Sequence, residues 1–473
     1  MPIHQAFRFA LDPSDRTRSA LASHAGASRY AYNWGLALVK ARLEAREEIR
    51  AAALRELLLD DEVEQLARTV EVPWNLPALR RAWNLEKATA GLWWAENSKE
   101  AYSSGLDALA RALEGFAQAR SGERAGTVGF PRFKKRWARR SCRFTTGAIK
   151  IVDDRHVQLP RLGQIRTLEL TTKLRTALDA GRARVLSATV SEEAGRWFVS
   201  FTCEVERADA PATLADAVVG VDLGVKHLAA LSTGELVANP KALDRYRRRM
   251  ARLQRELSRR QKGSRRRAQS KGRLARTHAR VANSRRDALH KLTSELASTY
   301  STVVVEDLNV AGMTAAPKPV PNSAGGHAHN GRSAKAGLNR AVLDASPAEL
   351  RRQLGYKLAW HGGILVVADR FFPSSKTCSS CGAAKAKLSL ATRTYRCEHC
   401  GLEIDRDLNA ALNLAAYGRR VLEQQHVAGS GPETRNARGG GHPRPRPKPP
   451  VKREDGTGSP DRTATVASQG AAA

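Results

Sequence analysis

The sequence predicts a multidomain α/β protein: an α-helical domain, a small β-barrel, and an α/β core interrupted by a zinc ribbon. Three observations predict it. The chain has 473 residues, a length that suggests two to four domains. Its apolar residues recur at helical spacing over much of 14–120, fall into short strand-like runs up to about residue 204, and mix strands with helices beyond 218. Two Cys-x-x-Cys pairs, at 378/381 and 397/400, stand inside this last region.

Taken in order, residues 3–10 read as a strand. Helical spacing runs through 27–43 and again through 93–116. The aromatics dense there, Trp34, Trp74, Trp83, Trp93, Trp94 and Tyr102, read as helix-packing core for the most part. After a loop at 122–129 comes FPRFKKRWARRSCRF at 130–144, where rings alternate with cations. That alternation fits a solvated basic strand, or phosphate contact combined with base stacking, and the second reading is preferred in so basic a chain. Strand-like runs at 149–159, 165–170, 184–191 and 197–204 make a small barrel or sheet, shared with the N-terminal strand.

Residues 218–237 read as a β-hairpin whose first strand ends near Asp222 and Gly224. Residues 241–291 read as a long helix, holding 20 Lys or Arg against 3 Asp or Glu. Leu253, Leu257 and Leu274 give it a thin apolar seam, and Gly263 and Gly272 are the expected breaks into an αα-hairpin. So dense and one-signed a face reads as a phosphate-tracking surface. STVVVEDLNV at 301–310 is a buried central strand ending in Glu306 and Asp307. Residues 314–335 read as a loop, 347–360 as a helix, 362–369 as another buried strand, and 407–424 as a final helix. The tail, 427–473, is rich in Gly, Pro, Ser and Thr and is expected to be disordered.

Lys and Arg total 79 against 47 Asp and Glu, a net charge of +32, with a pI near 10.6. Such a charge repels itself unless a polyanion is present. Nucleic acid is the natural one, because neutralising phosphates releases counterions. Charge alone suits an enzyme and a passive binder equally. The opening residues, MPIHQAFRFALDPSDR, lack the apolar core of a secretory signal, and no run of about 18 apolar residues suggests a membrane span. Six cysteines are too few for a disulfide scaffold of this length, so the paired ones point to metal in a reducing compartment. Cys142 and Cys203 read as ordinary small buried residues.

Two constellations carry chemistry. Cys378, Cys381, Cys397 and Cys400 form two knuckles with 15 residues between them, each running into a glycine, Gly382 or Gly401. Four thiolates in tetrahedral array fill zinc's coordination shell, so the ion is structural and not catalytic. The second constellation is Asp222, Glu306 and Asp407, acids at the ends of secondary elements. Converging carboxylates suit Mg²⁺, and two such ions about 3.5–4 Å apart can activate water and stabilise the leaving oxygen of a phosphodiester. Each acid also has an ordinary explanation. Asp222 could sit in a turn, Glu306 or Asp307 could pair with an arginine, and Asp407 could cap a helix while Asp405 takes its place as ligand.

Six strings carry a resemblance to a known family: SRYAYNWGLAL at 28–38, FPRFKKRW at 130–137, GVDLGVKHLAALSTG at 220–234, VVVEDLNV at 303–310, FFPSSKTCSSCG at 371–382 and CEHCGLEIDRDLNAALNL at 397–414. Through them the sequence resembles, over about residues 3–420, the TnpB proteins of bacterial transposons, compact relatives of the type V CRISPR effector nucleases. The resemblance implies an RNase H-like (RuvC) nuclease core with an inserted zinc ribbon, preceded by a helical recognition domain and a wedge-type β-barrel. The implied boundaries are 1–13 with 122–214 for the wedge, 14–121 for the recognition domain, 215–373 with 402–424 for the split nuclease domain, 374–401 for the ribbon as target-nucleic-acid module, and 425–473 for a basic tail. The acidic segment 47–72 reads as an insertion in the recognition lobe.

The resemblance implies an RNA-guided DNA endonuclease that binds a guide RNA from the transposon end and cuts double-stranded DNA. Asp222, Glu306 and Asp407 are then the magnesium-binding catalytic acids, Asp405 drops to second place, and the four cysteines are the zinc ligands. Nucleic-acid contacts are expected from Arg132, Lys134, Lys135 and Arg136, from Arg247, Arg248, Arg252, Arg259 and Arg266, and from Arg370. The implied location is the bacterial cytoplasm, at the nucleoid. Two alternatives stay open: a guide-free nuclease or transposase, and a catalytically silent nucleic-acid-binding regulator of transposition.

Overall fold

The computed structural model describes residues 2–56, 58–206, 211–322, 326–389 and 392–429. Residues Met1–Leu422 form one compact unit. Beyond Leu422 the described residues are the last turns of a helix. The predicted disorder of 427–473 falls almost entirely outside the described residues.

The first half opens with strand β1 (Pro2–Asp12) and helices α1 (Asp15–Arg55), α2 (Asp60–Arg68), α3 (Leu76–Ala90) and α4 (Lys99–Arg120). Side-chain caps start three of them: Ser14 accepts from the Thr17 N–H, Asn75 from Ala78 and Ser98 from Glu100, each supplying a partner for an otherwise orphaned helix-terminal donor. Strands β2 (Ser141–Phe144), β3 (Lys150–Ile151), β4 (His156–Leu159) and β5 (Gly163–Thr167) follow, then helix α5 (Thr172–Asp179) and strands β6 (Ala183–Glu193) and β7 (Arg196–Glu206). The sheet order is β2-β6-β7-β1-β5-β4-β3. β2 and β3 stand at its two edges, so among the described residues hydrogen bonding does not close it into the predicted barrel.

Apolar faces of α1, α3 and α4 and of this sheet share one core, which includes Leu36, Leu109, Phe144 and Phe201. The Trp83 and Tyr102 rings stack within it at 5.0 Å, as the packing role expected of these aromatics requires. Trp93 and Trp94 depart from the helical reading. Trp93 caps and Trp94 opens a single 3₁₀ turn, Trp94–Glu96, and α4 begins only after the Ser98 cap. The 130–144 segment is irregular up to Arg140 and becomes strand only at β2. The acidic stretch 47–72 is no separate unit: it holds the end of α1 and all of α2, joined by an Arg50–Glu64 ion pair at 2.7 Å.

The second half contains β8 (Leu214–Leu223), β9 (His227–Leu231), β10 (Leu236–Ala238), α6 (Ala242–Arg259), α7 (Arg265–Thr299), β11 (Tyr300–Glu306), α8 (Val310–Met313), α9 (Arg332–Ala345), α10 (Pro347–Trp360), β12 (Ile364–Ala368), β13 (Thr394–Arg396), β14 (Glu403–Asp405) and α11 (Arg406–Gly429). The five-stranded sheet runs β10-β9-β8-β11-β12. β10, β9 and β8 pair antiparallel, while β11 runs parallel to both β8 and β12. One core contains Val219, Val221, Val303 and Val305 with residues of α7 and α10. The other contains Val304, Val366 and Ala368 with Leu414 of α11. The strands therefore bury both faces, which explains their near-continuous apolar runs.

The basic stretch is indeed an αα-hairpin, broken at Gly263, whose φ of 88° is the left-handed conformation glycine tolerates. Gly272 breaks nothing and sits inside α7. The predicted 314–335 loop ends earlier than expected, because α9 starts at Arg332.

Candidate functional site

Among the described residues, the four cysteines form a compact metal-ligand group. All four sulfur atoms lie within 4.8 Å of one another. Cys378 Sγ stands 3.6 Å from Cys400 Sγ, and Cys381 Sγ 3.6 Å from Cys397 Sγ. Zn–S bonds of about 2.3 Å in a tetrahedron set sulfurs about 3.8 Å apart, so the cage fits zinc and is far too open for disulfides. The two knuckles repeat one geometry. Cys378 N donates to Ala383 O at 2.9 Å and Gly382 N to Cys378 O at 3.0 Å. Cys397 N donates to Leu402 O at 2.8 Å and Gly401 N to Cys397 O at 3.1 Å. Gly382 and Gly401 take φ of 78° and 73°, the turn expected of them. N–H groups of Cys400 and His399 directed at the Cys397 sulfur lower the pKa of that thiol, favouring the thiolate that binds metal. Beneath the cage lies Tyr395, fully buried, its hydroxyl donating to Lys376 O at 3.2 Å.

The acids converge from three elements. On β8 and β11, Val304 lies opposite Gly220 and Val305 opposite Val221, so Asp222 and Glu306 follow one step further along the two neighbouring strands. Alternation puts Gly220 and Asp222 on one face, the face covered by α11. A β-carbon on Gly220 would stand 2.0 Å from Ala411 O, so only glycine lets this helix come so close. Gly418 performs the same service against Val304, where an added β-carbon would approach to 2.4 Å. The first turn of α11, carrying Asp407, is thus brought to the C-terminal ends of β8 and β11. Burial, followed by the negative charges of Glu306 and then Asp407, pushes the Asp222 carboxyl up to about 8. Crowded acids of this kind are stabilised by a cation.

The structure also separates the neighbouring acids by task. Asp405 Oδ1 accepts from the N–H of Asp407 at 2.9 Å and of Leu408 at 3.2 Å, so it is Asp405, not Asp407, that caps α11. Asp307 accepts from Arg351 and Arg370, each at 2.6 Å, and these two guanidiniums hold its carboxyl below the usual range. Arg370, expected at phosphate, is therefore ion-paired here. Glu306 instead receives a hydrogen bond from the Ser374 hydroxyl.

The expected nucleic-acid contacts fall in two places. Arg132, Lys134, Lys135 and Arg136 lie on the irregular segment before β2, which is bolted to α1. Asn33 bonds both the N–H and the carbonyl of Lys134, at 2.8 and 3.0 Å, and Arg29 reaches Arg136 O at 3.0 Å. Lys134 is half-buried over the Tyr32 ring, 3.9 Å from its centre, and burial lowers its pKa. It lines a cleft with Arg29, Arg111, Arg139 and Arg143. Trp137, three residues further along, is 75% exposed. Arg247, Arg248, Arg252 and Arg259 are exposed on α6 and Arg266 on α7. Sequence reasoning missed Ser374, Asn409 and Asn413. The two asparagines, four apart on α11, share one face and are both buried. Buried amides at that spacing are a readable sign of a polar docking surface.

No helix among the described residues is long and apolar enough to cross a membrane. A family model described as "Probable transposase" (OrfB of IS605) matches residues 200–316, and one described as "Cas12f1-like, TNB domain" matches 348–414. A third, described as "Helix-turn-helix domain", matches 1–48, where this chain has β1 and most of α1. A Mycobacterium tuberculosis protein is 37% identical over 430 residues, covering 87% of this chain and 86% of its own. InsQ of Escherichia coli K12 is 31% identical over 432 residues, covering 90% and 95%. Both carry the name "Putative RNA-guided DNA endonuclease". A cryo-EM structure of a Cas12f1–sgRNA–target DNA complex aligns over 88% of this chain and 99% of that one, with a TM-score of 0.46 and 13% identity. At this identity to relatives of nearly the same length, the chain belongs to the TnpB family of transposon-encoded proteins.

Proposed function

We propose that the chain is an RNA-guided DNA endonuclease of the TnpB type, with Asp222, Glu306 and Asp407 as its catalytic acids. The observation that carries the reading is their convergence, from three elements far apart in sequence, at one end of the five-stranded sheet. Its order, three antiparallel strands followed by two parallel ones with helices on both faces, supports an RNase H-like core spanning 215–373 and 402–424. The wedge and recognition domains are then the first-half sheet and helices, and 374–401 is the ribbon.

Two divalent cations, magnesium by preference, would supply Lewis acidity to the water and the leaving oxygen of a phosphodiester. Asp222, Glu306 and Asp407 would hold them. Asp405 orients the helix that presents Asp407, and Asp307 is withdrawn into its arginine pairs. The ribbon's zinc has four protein ligands and no open position, so its work is to hold structure.

The basic surfaces suit a division of labour in which base pairing reads the target and the protein holds backbones. In this reading the α6–α7 hairpin and the 130–137 segment contact the phosphates of a guide RNA from the transposon end and of its double-stranded target, where the bacterial chromosome lies in the cytoplasm. The test is to co-express the protein with its flanking transposon DNA, purify it and sequence the RNA it carries. A single discrete RNA ending at the transposon boundary is expected. A smear of cellular RNA would overturn the guided reading.

A further inference from the structure

Ser374 lies in the turn between β12 and the first zinc knuckle and is 3% exposed. Its hydroxyl donates to Glu306 Oε1, while its carbonyl accepts from Asn413 Nδ2 at 2.7 Å. The same Asn413 amide donates to Thr377 O at 2.7 Å. One turn earlier on α11, Asn409 donates to that oxygen at 2.7 Å and accepts from Ser379 N at 2.9 Å. Asn409 thus grips the main chain on both sides of Cys378. It stands two residues after Asp407. A continuous set of hydrogen bonds therefore links Glu306, the helix bearing Asp407 and the first zinc ligand.

The chemistry of the donor matters. A carboxylate held by an arginine loses its attraction for a cation, and that is the situation of Asp307 next door. A neutral hydroxyl fixes one oxygen in place without cancelling the charge, and leaves the other oxygen to a ligand. The buried Asn413 amide fixes the serine's carbonyl, and Asn409 fixes the main chain a few residues on, beside Cys378; together they reduce the freedom that Glu306 would otherwise lose on binding an ion.

We propose that Ser374 is a positioning residue, which sets the Glu306 carboxylate for a divalent cation and, through Asn413, ties that setting to α11 and the zinc ribbon. The inference rests on reading Asp222, Glu306 and Asp407 as cation ligands. Loss of such a supporting hydrogen bond typically weakens metal binding about 10- to 100-fold.

The experiment uses the full-length chain with its co-purified RNA. Free Mn²⁺ is followed by electron paramagnetic resonance during titration, and zinc content and melting temperature are measured on the same samples. Ser374→Ala is expected to weaken Mn²⁺ binding at least about tenfold while zinc stays at one per chain. Ser374→Thr and Ser374→Val form a second pair of equal size that differs only in the hydroxyl. Thr is expected to bind Mn²⁺ at least about tenfold more tightly than Val, whatever the added methyl costs in folding. Equal Mn²⁺ affinity within that pair, or an unchanged Ser374→Ala, would overturn the proposal. Asp222→Asn and Glu306→Gln separate the two levels. If they abolish Mn²⁺ binding and the serine variants do not change it, only the role of Ser374 falls. If they too bind like the parent, the reading of the acids falls and the role of Ser374 with it.

Discussion

Gly220 of β8 lies so close under Ala411 of α11 that a β-carbon on the glycine would stand 2.0 Å from the Ala411 carbonyl oxygen and 2.5 Å from the N–H of Ala415. Main chain cannot rotate away as a side-chain tip can, so Gly220→Ala must push the helix off the sheet. Overpacking of this kind costs about 3 kcal/mol, and it moves Asp407 away from Asp222. Urea unfolding should register the loss of stability, and DNA cleavage should fall steeply in the same variant. A Gly220→Ala protein of unchanged stability would show that α11 is not seated as described.

Asp222 predicts an unusual pH dependence. Burial and the charges of Glu306 and Asp407 raise its folded value to about 8. An acid with a raised value adds stability only while protonated: fully below the ordinary aspartate range, and lost as pH climbs through 8. Asp222→Asn removes that loss. At pH 8.5, in buffer free of magnesium, the variant should be more stable than the parent by on the order of 2 kcal/mol, a figure that discounts the full shift for a half-buried carboxyl. At pH 5 the two should differ much less. Added Mg²⁺ should reverse the ranking at pH 8.5. Urea titrations under the three conditions test this directly.

The zinc cage predicts a local failure. Cys400→Ser removes one of four ligands from a ribbon whose core is little more than Tyr395 and a few partly buried neighbours. Structural zinc contributes roughly 10–16 kcal/mol of apparent binding energy to small folds. Zinc content should fall well below one per chain, and limited proteolysis should open new sites between residues 376 and 402. Cleavage should be lost, because Asn409 and Asn413 would lose their partners beside Cys378.

Glu100, buried where α4 meets the chain after β2, offers a control far from the acidic centre. Burial pushes its carboxyl up, but hydrogen bonds from the Thr145 N–H, the Thr145 hydroxyl and the Thr146 hydroxyl, at 2.9, 2.6 and 3.0 Å, outweigh burial and hold it below its ordinary value. Its stabilisation is therefore present above the ordinary glutamate range and lost as pH falls through the lowered folded value. Glu100→Gln should cost about 2 kcal/mol at neutral pH. It should lose less at pH 3, and leave bound zinc unchanged.

If α6 tracks phosphates, replacing Arg248, Arg252 and Arg259 together with glutamine should lower the slope of log binding constant against log salt. Each lost contact accounts for about 0.7 to 0.9, so the slope should fall by roughly 2. Filter binding of the co-purified RNA across a salt series measures it. An unchanged slope would make these arginines a solvated face.

The sequence was most legible where chemistry imposes local spacing. The cysteine knuckles with their trailing glycines, the acids ending apolar β-branched runs and the basic hairpin were all readable from short windows. The tertiary contacts were not. Nothing near Gly220 says that a helix nearly two hundred residues later will press on it. Trp93 and Trp94 continue an apolar rhythm, yet the chain leaves the helix there because Ser98 caps a new one. Gly272 looked like a break and is not, because α7 packs well enough to bear the roughly 1 kcal/mol that a helical glycine costs. The eight residues of α5 are too few to show periodicity between strands. The choice between Asp405 and Asp407 needed the geometry of the cap, which identical neighbouring side chains cannot disclose in sequence.

The most direct test of the central claim is cleavage of a supercoiled plasmid by the purified protein–RNA complex in Mg²⁺, with a target matched to the bound RNA, a scrambled target, and the Asp222→Ala protein alongside. Linear plasmid is expected from the matched target alone, none from the scrambled one, and none from Asp222→Ala although that variant still retains the RNA. Equal cutting of matched and scrambled DNA, or cutting undiminished in Asp222→Ala, would contradict that claim.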